Sequence, residues 1–277
     1  MHRLLTGPLR VEKLTIALAD LPEHLQGTKL VQMSDFHYDG FRLSDALLDE
    51  AIAASNQQQP DLVLLTGDYV TEDPAPIHDL ALRLKQLQSR AGIYAVLGNH
   101  DLIYRHSKSE ITRAMTRTGI GVLWNQAVCP LGPELALVGL PDFWSREFNP
   151  TAVLAQVGAA IPRIVLSHNP DSAQLLRRWR VDLQLSGHTH GGQIVIPGVG
   201  PVLQRIKSIR RKIPKPLRRW IPYMSDGCDK VVHHWEWAEG LHQVGANQLY
   251  VNRGLGTYLP GRLFCPPEVT AITLVRA

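Results

Sequence analysis

Residues 186–193 read SGHTHGGQ and directly follow the apolar run VDLQL at 181–185. In an extended strand the side chains of residues i and i+2 share a face. If the strand persists into this stretch, His188 and His190 aim both imidazoles at one spot. Gly187, Gly191 and Gly192 remove side chains that would crowd it and admit unusual backbone angles. The competing reading is a glycine-rich turn with two solvated histidines. The rest of the chain has to decide between them.

Working outward, six more short apolar runs end in polar residues: KLVQMSD (29–35), DLVLLTGD (61–68), GIYAVLGNHD (92–101), LALVGLPD (135–142), RIVLSHN (163–169) and NQLYVNRG (247–254). Runs of this length, rich in Val, Ile and Leu, are expected to be buried strands. Helical patterns lie between several of them. Ser44 is placed to cap a helix with Leu47, Leu48, Ala51 and Ile52 on one face, and Leu80, Leu84 and Leu87 repeat at helical spacing. Ser107-x-x-Glu110 has the form of a capping box before Ile111, Ala114 and Met115, with Gly119 as a stop, and Asp171 opens a helix carrying Leu175, Leu176 and Trp179. Strands alternating with helices early and dominating late imply a layered α/β sandwich.

The polar residues fall where such a sheet collects ligands, outside the carboxyl ends of its strands. Asp35 and His37, Asp68, Asn99 and His100, His168, and His188 and His190 each follow one of the runs. The other histidines (His2, His24, His78, His106, His233, His234 and His242) show no such placement and read as surface or packing residues. A carboxylate and an imidazole two apart in Asp35-Phe36-His37 suit one cation, and Asp68 offers two oxygens able to bridge a pair. Asn99 adds a neutral oxygen and the remaining histidines add nitrogen. A mixed N/O set suits Mn, Fe or Zn better than Ca or Mg. The three cysteines have no Cys-x-x-Cys spacing, which argues against a thiolate zinc site or a disulfide framework and for a reducing compartment.

Taken in order, DFH at 35–37, GD at 67–68, GNHD at 98–101, His168 in LSHNPD and GHTH at 187–190 resemble the five blocks of the calcineurin-like metallophosphoesterases. SGHTHGGQI and YVNRGLGTYLPGRLFCPPEVT extend the likeness nearly to the C-terminus. They resemble the bacterial branch of membrane-associated phosphodiesterases and UDP-2,3-diacylglucosamine pyrophosphatases. The resemblance implies one domain over 1–277 with a four-layer αββα sandwich of two mixed sheets. It implies two divalent transition-metal ions, manganese first with iron or zinc as alternatives. Asp35, His37, Asp68 and His190 would hold one ion, and Asn99, His168 and His188 would join Asp68 around the other. Two ions about 3.5–4 Å apart share a hydroxide that attacks phosphorus in line with the leaving oxygen. His100 would protonate that oxygen, held as imidazolium by Asp101. A plain hydrogen bond from His100 to the metal cluster is the alternative. Arg253 in VNRGLGT would clamp a phosphate; the alternative is an ion-paired strand-end arginine.

Composition bounds the rest. With 44% hydrophobic and 19% charged residues the chain has apolar mass enough for a core. No window supplies about 18 uninterrupted apolar residues, and the first residues are too broken for a targeting segment, so a cytoplasmic location is expected. Eight of the 29 basic residues lie within 203–220, and the other 21 face 25 acidic ones, so the net charge of +4 is local in origin. Within 202–221, Ile206, Ile209, Ile213, Leu217 and Trp220 form a helical stripe interrupted by Pro214, with Pro216 placed in the first turn of a second short helix. This basic amphipathic insertion, at about 200–230, reads either as a solvated loop packed on the domain or as an arm lying on an anionic membrane surface. The leading function is hydrolysis of a phosphodiester or pyrophosphate in a small-molecule or lipid-linked substrate. A phosphomonoesterase or nuclease on the same centre, or a metal-binding scaffold without catalysis, are the alternatives. No helix-turn-helix or aromatic-interleaved RNA pattern supports specific nucleic-acid binding.

Overall fold

Each of the seven apolar runs contributes a strand in the computed structural model, which describes residues 5–202, 213–218 and 232–277. The strands are β1 (Arg10–Leu18), β2 (Lys29–Met33), β3 (Leu62–Leu65), β4 (Ile93–Ala95), β5 (Ile120–Val122), β6 (Gln126–Val128) and β7 (Ala136–Gly139). They continue with β8 (Arg163–Leu166), β9 (Leu183–Ser186), β10 (Val195–Ile196), β11 (Gly200–Pro201), β12 (Gly240–Val244), β13 (Asn247–Val251) and β14 (Glu268–Arg276). The helices are α1 (Asp45–Gln57), α2 (Ile77–Leu84), α3 (Ser107–Arg117), α4 (Pro150–Leu154), α5 (Ser172–Leu176) and a single turn, α6 (Lys215–Arg218).

Two six-stranded sheets result, in the orders β1-β14-β2-β3-β4-β5 and β12-β13-β9-β8-β7-β6. In the first, β2 to β5 run parallel and β14 is antiparallel to β2. In the second, β13, β9, β8 and β7 are parallel between antiparallel edges β12 and β6. Both sheets are therefore mixed.

Alternation along the buried strands sets the layers, because successive side chains point to opposite faces. Leu30, Leu62 and Leu64 meet Leu137, Leu166, Leu183 and Leu185 of the second sheet. Their neighbours Val31, Met33, Val63 and Leu65 pack instead against Leu48, Ile52, Leu80 and Ile111 of α1 to α3. On the far side Val138 and Val165 pack against Leu154 and Leu176 of α4 and α5. Both faces of each central strand are covered, which is why those runs read as continuous apolar segments. The helix–sheet–sheet–helix sandwich is the expected one.

The helix ends agree in part with the sequence signals. Ser44 caps α1, its Oγ accepting from Leu47 N at 3.3 Å, and Gly119 follows α3 at φ 88°. The Ser107–Glu110 capping box does not form. His106 occupies the cap position, Ser107 is the first helical residue with its Oγ buried, and Glu110 faces His78 at 3.1 Å. Asp171 does precede α5, but its carboxylate accepts from His233 N and His234 N at 2.7 and 2.9 Å rather than capping the helix. Pro216 lies in the first turn of α6 as expected, with Leu217 exposed. Residues 203–212 and 219–221, most of the basic stripe, fall outside the described residues. Among those described, no helix is long and apolar enough to cross a membrane.

Leu64 sits fully buried between the sheets. Leu64→Ala is expected to cost about 2–5 kcal/mol through lost burial and a residual cavity. Urea unfolding of the two proteins measures it.

Candidate metal centre

The two sheets each deliver part of one site. Asp35 and His37 follow β2, Asp68 follows β3, and Asn99 and His100 follow β4, all in the first sheet. His168 follows β8, and His188 and His190 follow β9, in the second. A buried amide ties the halves just beneath: Gln32 Nε2 donates to Thr66 Oγ1 at 3.0 Å and to Ser186 O at 2.8 Å.

His188 and His190 do converge, but not by strand periodicity. β9 ends at Ser186, and the backbone then turns into the left-handed region, with φ of 72° at His188 and 51° at His190. Asp35, His37 and Asp68 share this conformation at 51°, 44° and 56°. Non-glycine residues with such angles are uncommon and cost free energy, and they persist where surrounding contacts over-determine them. The contacts are on hand. His188 N donates to both oxygens of Asp35 at 3.0 Å, His37 N donates to Asp68 O at 3.0 Å, and Gly256 N donates to Asp35 O at 2.7 Å. The crossing leaves no room for a side chain at Gly187, where a Cβ would lie 1.9 Å from Ser34 Oγ and 2.2 Å from Asp35 Oδ2.

Two sets of ligand atoms result. Asp35, His37 and His190 form one, and Asp68, His168 and His188 form the other, with the donor atoms of each set within 4.8 Å of one another. His190 Nδ1 donates to Gly256 O at 3.2 Å, and His168 Nδ1 to Thr66 O at 2.7 Å. These bonds assign the tautomers and leave each Nε2 lone pair facing inward. There His190 Nε2 lies 3.1 Å from His37 Nε2, and His168 Nε2 lies 3.2 Å from His188 Nδ1. Asp68 Oδ2 faces both sets, 3.6 Å from His37 Nε2 and 3.1 Å from His168 Nε2, while Oδ1 accepts from His100 N at 2.9 Å. Asn99 Oδ1 is buried with no hydrogen-bond partner, as suits a neutral oxygen ligand. Lone pairs crowded together, a shared carboxylate and an orphaned amide oxygen fit two divalent cations.

The protein's own charges point the same way. Burial raises the Asp35 carboxyl to about 6 and lowers His37 to about 3. Burial also works against Asp68, yet His168, His100 and His37 hold it well below the carboxylate range. Against its own burial, His168 is raised to about 10 by Asp68, Asp35 and Asp142. At Asp68 and His168 the site thus favours a positive charge, which a divalent cation would supply in place of the His168 proton, while at Asp35 and His37 burial disfavours the charged forms.

His100 and Asp101 flank this centre in a different relation from the expected one. A ring nitrogen of His100 lies within 4.8 Å of the facing atoms of His37 and Asp68. Its Nδ1 donates to Thr71 O at 2.6 Å, so the backbone carbonyl of Thr71, not Asp101, orients the ring. Asp101 is buried and accepts four backbone N–H groups, from Asp68 and Gly98 on Oδ2 and from Tyr69 and Val70 on Oδ1, at 2.8–3.3 Å. It positions the loops that carry Asp68 and Asn99.

The family pattern of the calcineurin-like phosphoesterases matches residues 28–192, a span holding every ligand above. The chain belongs to the calcineurin-like phosphoesterases. It is 33% identical to phosphodiesterase YaeI of Escherichia coli across 93% of this chain and 86% of that one. It is 27% identical to UDP-2,3-diacylglucosamine pyrophosphatase LpxG of Chlamydia muridarum across 94% and 88%. A solved structure sharing 11% identity aligns over 83% of this chain and 91% of its own with a TM-score of 0.51, a likeness of fold alone.

In this phosphoesterase Arg253 is not placed to clamp a phosphate. Its guanidinium pairs with Glu12 at 2.7 Å, Glu268 at 3.0 Å and Glu239 at 3.3 Å, and Nε also donates to Pro266 O at 3.1 Å. The sequence reading missed three neighbours of the centre. Tyr258 OH meets His37 Nδ1 at 3.1 Å, and the Arg42 guanidinium lies over the Tyr258 ring, 4.5 Å from its centroid. Asp142 is buried with Oδ2 unpartnered. Its signal was legible, since it ends the LALVGLPD run as Asp35 ends KLVQMSD. Tyr258 and Arg42 lie on irregular loops, and nothing in their spacing marks them. The six described histidines outside the centre are, as expected, surface or packing residues; His24 and His78, for example, face Glu134 and Glu110.

Asp68→Ala is expected to reduce bound metal from two ions per chain to less than one. Elemental analysis by mass spectrometry, with circular dichroism to confirm the fold, measures this.

Proposed function

We propose that this chain is a dinuclear metallophosphodiesterase that hydrolyses a phosphodiester or pyrophosphate bond in a phosphorylated small-molecule or lipid-linked substrate. Manganese is the proposed ion at both positions, with iron or zinc as alternatives. The observation that carries the reading is Asp68 Oδ2 set between the imidazoles of two ligand sets, with His100 alongside. The choice of diester or pyrophosphate over monoester is supported by the E. coli relative, named a phosphodiesterase, and the C. muridarum relative, named a pyrophosphatase.

Asp35, His37, Asp68 and His190 would hold one ion, and Asp68, Asn99, His168 and His188 the other. Bound there, the ions neutralise phosphoryl charge and lower the pKa of the attacking water. The chain's own part is positional and protolytic. Water gives one proton to solvent and its oxygen bonds to phosphorus, the bond to the leaving oxygen breaks, and that oxygen takes a proton from His100, which regains one from solvent. Donation from Nδ1 to the Thr71 carbonyl holds the ring with Nε2 toward the centre, and the proton given is the Nε2 proton of the imidazolium, which carries one on each nitrogen. Asp101 keeps the loops of Asp68 and Asn99 in register.

His100→Asn is expected to keep the metals and lower kcat by about 10²–10⁴, the usual worth of a general acid. The loss should shrink on nitrophenyl esters, whose leaving group needs little protonation. An equal loss for good and poor leaving groups removes His100 as the proton donor.

The segment 202–221 is proposed to rest on an anionic membrane surface and bring a lipid-linked substrate toward the metals. Each basic residue near such a surface contributes about 1 kcal/mol. The exposed Leu217 in α6 supports this reading. The protein is expected to sediment with phosphatidylserine vesicles at low salt. Replacing Arg210, Arg211, Arg218 and Arg219 by Gln should abolish this; binding that ignores lipid charge counts against the arm.

A further inference from the structure

Tyr258 separates the metal centre from a cavity of about 560 Å³ on its other side. The cavity is lined by Leu5, Phe41, Arg42, Thr257, Tyr258 and Leu259, with Thr6 and Gly261 completing it. Its size falls in the range of about 300–1,000 Å³ used for small ligands, and its walls are chiefly apolar. Tyr258 belongs to both spaces. Its hydroxyl meets His37 Nδ1 at 3.1 Å, and its ring packs edge-on against His37 and His190 with centroids 5.0 and 5.3 Å apart. A group entering the cavity is thus one aromatic ring away from a ligand of the first ion.

Charge and polarity are graded across that ring. On the inner side lie the two cation positions. At the neck the Arg42 guanidinium, paired with Asp39, covers the face of Tyr258 and adds positive charge near His37. Asp39 also accepts from Thr71 Oγ1 at 2.9 Å, and Thr71 is the residue whose carbonyl orients His100. The neck is therefore tied to the catalytic histidine. Outward, the walls lose their charge. Phe41 is 83% exposed and Leu259 78%, and the same loop continues to Leu263 at 52% and Phe264 at 67%. Large apolar side chains grouped in this way at a cavity mouth mark a surface that gains by being covered.

We propose that this cavity receives a hydrocarbon ester group of the substrate, so that the enzyme selects amphiphilic phosphodiesters whose apolar group begins beside the phosphate. The inference rests on the phosphodiesterase reading above and assigns the residues that choose among diesters. The phosphate sits at the cations, and the chain runs past Tyr258 toward Phe41 and Leu259.

The test is a series of p-nitrophenyl alkyl phosphodiesters, methyl to octyl, with the metal-loaded enzyme and each ester below its micelle concentration. We expect kcat/KM to rise at least tenfold from methyl to octyl. Leu259→Asn and Phe41→Ser, both at exposed positions, should each cut the octyl-to-methyl ratio by fivefold or more. Leu82→Asn, at an exposed leucine on α2, should leave the ratio unchanged. Calorimetry adds a readout independent of turnover: octylphosphonate should bind at least tenfold tighter than methylphosphonate, and Leu259→Asn should erase the difference. Turnover with no dependence on chain length overturns the cavity assignment and leaves the phosphodiesterase reading intact. A protein that turns over none of the esters, yet prefers octylphosphonate through Leu259, overturns the phosphodiesterase reading and keeps the cavity. A rate gain seen only when the octyl ester is presented in vesicles assigns the apolar mouth to bilayer contact and overturns the proposal.

Discussion

The carboxylate of Asp101 fixes the two loops that leave the adjacent parallel strands β3 and β4. One leaves β3 and carries Asp68; the other leaves β4 and carries Asn99 and His100. Neither is part of a sheet at that point, so their backbone N–H groups need partners. Four of them find both oxygens of one buried side chain. Burial and the nearby Asp68 charge push this carboxyl up to about 7, against the pull of the N–H groups it accepts. Since Asp68 N is among the donors, the direction of the Asp68 carboxylate depends on Asp101. The closeness this enforces is visible at Gly98, where a Cβ would lie 2.1 Å from Asp68 Oδ1.

The second constraint joins the sheets. His168, His188 and His190 come from one sheet and their carboxylate partners from the other, so the centre exists only while the sandwich is closed. Leucines from both sheets close it through the middle, and Gln32 closes it at the edge beneath the ligands. Core packing and metal geometry are thus the same problem at two depths.

How much of this was legible in the chain varies with the kind of interaction. Strands buried on both faces announce themselves as short apolar runs, and all seven formed. The candidate ligands were legible because each stands just after such a run, where topology gathers them. Roles set by irregular backbone did not show. Asp101 stands next to His100 in sequence, which suggested a pair, but a three-residue 3₁₀ turn begins there and the carboxylate joins the neighbouring backbone instead. Arg253 ends a strand as the ligands do, yet Glu12, Glu239 and Glu268 reach it from three distant parts of the chain. Ser107 and Glu110 have capping-box spacing, but the helix starts one residue earlier than that motif requires, and Glu110 finds His78. In each case a contact remote in sequence outbid a local pattern.

The left-handed backbone at five of the candidate ligands has an energetic corollary for variation in this protein. Glycine adopts such angles at little steric cost, and Asp or His does so at some expense. The fold therefore carries a standing debt at the positions that make it useful. A chain drifting toward glycine at 35, 37, 68, 188 or 190 would relax its backbone while losing a ligand. Selection for robustness and selection for chemistry pull in opposite directions at these residues, the trade expected wherever a site is built from conformations the rest of the fold must impose.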